Sequence, residues 1–130
     1  MTITEFLEAR IDEDEAVARA ASHQKVAGPF HGNWRHNSLH LSSMEREDAE
    51  HIARHDPARV LAECAAKRAI IAEHGEMEVA SLDRETWGQP FTVCRVCAVG
   101  VRQVVSPCPT LKALAAVYKN HADYREEWAI

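Results

Sequence analysis

The chain has 130 residues, 46% hydrophobic and 27% charged, with a formal net charge of −5. That length suits one compact unit with a modest core. The acidic balance argues against a protein that coats nucleic acid, whose footprint is normally a basic face.

From the N-terminus, Thr2 and Glu5 stand at capping-box spacing. Phe6, Leu7, Ala9, Ile11, Ala16, Val17 and Ala20 follow as a rough apolar stripe. This pattern predicts a helix over about 3–21 with Glu13, Asp14 and Glu15 on its solvated face. The start lacks the basic and apolar regions of a signal peptide. No apolar run nears the roughly 18 residues a membrane span needs. The expectation is a soluble, cytoplasmic protein with no membrane partner.

Turn signals then cluster at Gly28-Pro29, Gly32-Asn33 and His36-Asn37. A short irregular or β insertion is expected near 28–41. The surrounding stretch carries four of the eight histidines, His23, His31, His36 and His40, read as surface residues. Ser42 with Glu45 is a second capping-box spacing and predicts a helix over about 44–55. Asp56-Pro57 restarts the chain as N-cap and first helical residue. The next helix, over about 57–74, carries Val60, Leu61, Cys64, Ala65 and Ile71, and Gly75 is its stop.

Residues 76–89 read as a mainly polar connector. Pro90 to Val93 and Val101 to Val105 read as two strands of a hairpin. A final helix is expected over about 109–120, with Tyr124 to Trp128 packing back in a short helical turn. The fold class is therefore α+β, mostly α. A helical part, 1–87, precedes a small hairpin-and-helix lobe, 88–130.

The chemistry lies in that lobe. Cys94 and Cys97 form a C-x-x-C pair, and Cys108 precedes Pro109 at the start of the last helix. In a reducing compartment, clustered cysteines point to a metal more than to disulfides. Structural zinc takes four thiolate or imidazole donors in a tetrahedron. Knuckle, hairpin and helix-start cysteine are similar to a treble-clef zinc finger. The usual fourth donor would come from the next helical turn, but Thr110, Leu111 and Lys112 offer none. His74, ending the preceding helix before Gly75, is the first choice. His121 is second, although a straight helix would set it roughly 20 Å from Cys108. Cys64 and the His51/His55 pair are further alternatives. The predicted metal set is His74, Cys94, Cys97 and Cys108, with zinc as the cofactor.

Competing chemistries fit less well. The thioredoxin-type C-x-x-C opens a helix, whereas β-branched residues and Gly100 follow this one. His51 and His55 have metalloprotease spacing, but Ile52 occupies the place of the required Glu. His74-Gly75-Glu76 resembles half of a zinc-deaminase signature, whose Pro before the first Cys is Val93 here. No enzyme activity is predicted.

Several segments resemble a small uncharacterised protein family of actinobacteria and their phages. They are Phe6–Arg10 (FLEAR), Asp12–Glu15 (DEDE), Asp48–Leu61 (DAEHIARHDPARVL), Ala66–Arg68 (AKR), Pro107–Leu111 (PCPTL) and Tyr124–Trp128 (YREEW). The resemblance spans nearly the whole chain and implies no established activity. It is consistent with a helix-terminal His joining the three cysteines. The functional expectation is a zinc-stabilised protein-interaction or accessory module with a protein partner. The alternative is a small zinc-finger-like nucleic-acid-binding regulator, suggested by Arg95, Arg102, Lys112 and Lys119 near the knuckle.

Overall fold

A computed structural model describes residues 1–22, 45–100 and 103–130. The expected insertion near 28–41, its histidines and Ser42 lie outside the described residues. The protein is mostly helical with a small two-stranded antiparallel sheet. Among the described residues, the α-helices are α1 (Ile3–Ser22), α2 (Arg46–Arg54), α3 (Pro57–Glu73) and α4 (Pro109–Ala115). The strands are β1 (Glu76–Ala80) and β2 (Pro90–Cys94).

Local sequence sets the helix starts. Thr2 N–H donates to Glu5 Oε2 at 2.7 Å, and Glu5 N–H donates to Thr2 Oγ1 at 3.2 Å. Two N–H groups that a helix start leaves unpaired are thus satisfied reciprocally. The Thr2 backbone N–H and then its hydroxyl hold the Glu5 carboxyl below its ordinary value. At α3, Asp56 Oδ1 accepts from Arg59 N–H at 2.9 Å, with Pro57 as first helical residue. At α2, Glu45 itself stands at the N-cap without a side-chain capping bond. This displaces it from the third helical position that the Ser42/Glu45 spacing implied.

The chain divides into two compact units, one of residues 1–10 and 67–130, the other of residues 11–66. In the second unit, Ile11, Ala18 and Cys64 are buried. The Cys64 thiol points at the Ile11 carbonyl oxygen, 3.8 Å away. There it serves as a small apolar side chain with a weak donor.

The first unit is built around Phe6. Its ring is fully buried and lies 5.0 Å from Trp128, 5.9 Å from His121, 6.1 Å from Tyr124 and 6.3 Å from Tyr118, centroid to centroid. The Tyr118, Tyr124 and His121 contacts are edge-to-face, which suits the ring quadrupoles. The Arg10 guanidinium lies 5.5 Å from the Phe6 centroid. The cluster fixes the C-terminal end: a 3₁₀ turn over Glu126–Trp128 places the Trp128 indole, 2% exposed, against Phe6. Ile3, Leu7, Leu111 and Ala115 continue this core. The last helix is shorter than its sequence pattern suggested. It tightens into a 3₁₀ turn at Ala116–Tyr118.

The sheet adds a partner that the sequence does not announce. The expected hairpin pairs β2 with Val101–Val105, of which Val101 and Arg102 lie outside the described residues. The partner of β2 along its full length is β1, in register Glu76↔Cys94, Met77↔Val93, Glu78↔Thr92, Val79↔Phe91 and Ala80↔Pro90. Val105 makes a single bridge to Val93 on the other side of β2, flanked by Cys94 N–H to Val104 O and Ser106 N–H to Thr92 O. Residues 76–80 read as connector because two glutamates and an alanine dilute the run. The Met77/Val79 alternation was the strand signal.

Phe6→Ala removes the ring that four others contact. A loss of about 3–5 kcal/mol is expected, the usual range for truncating a buried aromatic. Urea unfolding followed by near-UV circular dichroism measures it. Thr2→Ala should cost about 1 kcal/mol. The bond from the Thr2 N–H to Glu5 survives that change; its support for the helix start is present above the ordinary Glu5 pKa of 4.5 and fades as pH falls through the lowered folded value.

Candidate metal centre

Four elements deliver one side chain each to a common point. His74 follows the last residue of α3, and its N–H closes the helix on Ile70 O at 3.0 Å. Cys94 is the last residue of β2. Cys97 lies in the turn that follows, where Ala98 N–H returns to Cys94 O and Gly100 adopts φ +62°, a conformation that favours glycine. Cys108 is the N-cap of α4, immediately before Pro109, and accepts from Lys112 N–H through its carbonyl.

His74 Nδ1 lies 3.5 Å from Cys94 Sγ, 3.4 Å from Cys97 Sγ and 3.5 Å from Cys108 Sγ. All four donor atoms fall within 4.8 Å of one another. A tetrahedral zinc ion with its usual bond lengths, about 2.3 Å to sulfur and 2.0 Å to nitrogen, requires N···S edges of about 3.5 Å. The three N···S separations therefore match those edges, and the cluster is compatible with zinc. Cys94 and Cys108 are fully buried, and Cys97 and His74 are half-buried. Three thiols with one imidazole nitrogen form a set suited to zinc, and the cluster could hold that ion.

The electrostatics favour a cation at the centre. Burial resists ionisation of Cys94, but the N–H groups of Cys97 and Val96, and then His74, outweigh it and bring the thiol down to about 7. Cys97 is pushed up to about 11, first by burial and then by the Cys94 and Cys108 sulfurs. Thiols this close cannot all ionise without a positive charge between them.

A bracket absent from the sequence reading holds the knuckle against the helix end. Arg95 N–H donates to Gly75 O at 2.9 Å, and its guanidinium Nη2 donates to Ala72 O at 2.6 Å. These bonds satisfy carbonyls at and just beyond the end of α3. They also fix the chain reversal that presents His74. The sequence signal was the need of any helix C-terminus for donors. From the sequence, Arg95 stands out only as a cation beside the knuckle.

The alternative fourth donors are occupied elsewhere. Arg10 Nη1 lies 2.7 and 2.6 Å from the two ring nitrogens of His121, with Asp123 Oδ2 3.4 Å from the same guanidinium nitrogen. Cys64 is the buried thiol facing Ile11. His51 on α2 and His55 at its C-cap lie beside each other with tilted rings, 4.7 Å between centroids. None of these joins the four-residue cluster.

The model of a family of unknown function, DUF6221, matches residues 1–130. The chain belongs to that family. No curated protein and no solved structure matches this DUF6221 chain. Its chemistry must therefore be read from its own residues. No described helix of this family member is long and apolar enough to cross a membrane.

Cobalt(II) offered to the metal-free protein tests the geometry directly. Closure of all four donors should give the intense visible bands of a tetrahedral thiolate site together with near-ultraviolet charge transfer. Weak, octahedral-type absorption would show that the donors do not close on the ion.

Proposed function

We propose that His74, Cys94, Cys97 and Cys108 hold one structural zinc ion, and that the chain works as a small protein-interaction or accessory module in the cytoplasm, in the actinobacterial and phage setting of the resembled family. The observation that carries the metal reading is the set of 3.4–3.5 Å N···S distances. A catalytic zinc keeps three protein donors and an open position. Here four protein donors fill the tetrahedron, which supports a structural role and a non-enzymatic protein.

Structural zinc contributes on the order of 10 kcal/mol to folding in small units of this kind. The ion would join the end of α3, the knuckle and α4 into one lobe, residues 88–130 with His74 as their tie to the helical part. A protein partner is favoured by the acidic balance and by the internal use of two nearby cations. Arg95 bonds to Ala72 O, and Lys112 Nζ donates to Glu127 O at 3.1 Å.

Native mass spectrometry should find one zinc per chain. His74→Ala should weaken zinc by more than the roughly 10–100-fold that loss of an outer-shell partner costs. Cys64→Ser should leave the stoichiometry unchanged. Full retention in His74→Ala would move the fourth donor elsewhere and reopen catalysis. Absence of metal from the native protein would make Cys94 and Cys97 a thiol pair.

Zinc uptake must also release protons. Without the ion Cys97 is protonated at neutral pH and Cys94 titrates near it. Affinity should therefore fall by more than tenfold for each unit of pH lost between about 7 and 5. Competition with a chromophoric chelator across that range measures the slope. For the module itself, capture from native source cells with zinc-loaded protein should yield a specific partner that His74→Ala fails to retain.

A further inference from the structure

The loop joining β1 to β2 holds out a large apolar side chain that folding of the described chain does not use. Trp87 is 72% exposed and Leu82 is 52% exposed. Yet the loop is knitted from within. Ser81, 7% exposed, donates its N–H to Gln89 O at 2.8 Å and accepts from Gly88 N–H at 3.0 Å. Its hydroxyl pairs with Thr86 Oγ1 at 2.7 Å and accepts from Asp83 N–H at 3.2 Å. Asp83 Oδ1 accepts from Glu85 N–H at 2.9 Å, and Gly88 takes φ +78°. These bonds run through the backbone and through Ser81, Asp83 and Thr86, not through the indole. A preorganised loop presenting a tryptophan is how interaction surfaces supply an anchor at low entropic cost.

The adjoining strand offers an edge. Among the described residues, β2 is engaged on both sides, by β1 and by the Val105 bridge, whereas β1 pairs as a strand with β2 alone; it also meets two side chains, Gln103 Nε2 donating to Ala80 O at 3.3 Å and the Ser106 hydroxyl donating to Glu76. Its residues Glu76, Met77 and Glu78 are exposed. With Asp83 and Glu85, four exposed carboxylates face one cation, Arg84, over residues 76–90. A second β1 laid on this edge would bring like charges together, which is unfavourable. Lysine or arginine side chains would neutralise them, and a cation can also sit on the indole face.

We propose that the β1 edge and the Trp87 loop form one docking surface for an extended, basic segment of a partner protein. The segment adds as a strand beside β1, its cations meet the glutamates, and Trp87 anchors one end. This rests on the interaction-module reading and names the surface and partner chemistry it lacked.

The test uses full-length, zinc-loaded, ¹⁵N-labelled protein and a short synthetic peptide alternating lysine and valine, with a glutamate–valine peptide as control. The lysine peptide should shift the amides of Glu76–Ala80 and the Trp87 indole N–H, and the shifts should shrink with added salt. Trp87→Ala should weaken binding by about tenfold or more, as loss of an anchoring tryptophan does. Glu78→Lys should abolish the preference for the basic peptide. Each variant's spectrum also reports whether the lobe remains folded. Shifts centred on the acidic Glu13–Glu15 face of α1 would overturn the hairpin assignment while leaving an interaction module. Equal binding by Trp87→Ala, or by both peptides, would overturn the proposal. So would no binding at all, whereas the module reading itself stands or falls on the capture experiment with native cells.

Discussion

Three sulfurs and one imidazole nitrogen crowd onto one point, and the knuckle that delivers two of the sulfurs has few buried apolar side chains of its own. β2 supplies Val93 and Cys94 to the buried interior, and the turn after it supplies two exposed valines, Val96 and Val99. With so few buried apolar side chains in the knuckle, area burial gives only a few kcal/mol there. A bound cation would relieve the mutual repulsion of the thiolates and replace a missing core. The Arg95 bracket and the backbone N–H groups around Cys94 keep the donors aimed while contributing little apolar burial of their own.

A second centre of organisation is the Phe6 ring. Helix α1 begins with a reciprocal cap and then commits Phe6, Leu7 and Arg10 to the unit that also contains the His74 and cysteine cluster. The aromatic residues that surround Phe6 come from the last dozen or so positions of the chain. This long-range contact accounts for the YREEW segment structurally: Trp128 is buried, while Glu126 and Glu127 stay exposed in the same 3₁₀ turn. It also accounts for His121, which serves Arg10 and the ring cluster rather than a metal.

The exposed hairpin follows another logic. Its backbone is satisfied from within through Ser81, so its order does not depend on burying Trp87 or Leu82. An ordered loop that leaves such surface in water pays a hydration cost that a partner would remove. The exposed glutamates on β1 would repel a second copy of the same strand.

Much of this was written locally. Thr2 with Glu5, and Asp56 with Pro57, determined helix starts because a cap is decided within one turn of chain. Cys94, Cys97 and Cys108 point to a metal site through residue type and spacing, and His74 is the first choice of fourth donor because the turn after Cys108 offers none. The β1–β2 pairing was not legible, since Glu76–Ala80 is a weak strand by itself and becomes one through hydrogen bonds to β2. Nor did the sequence determine whether His121, Cys64 or His74 would meet the cysteines. Only the tertiary structure sent His121 to Arg10, turned Cys64 toward the Ile11 carbonyl and set His74 Nδ1 within 3.5 Å of three sulfurs. A donor's chemistry belongs to its residue, but its position depends on packing between segments far apart in the chain.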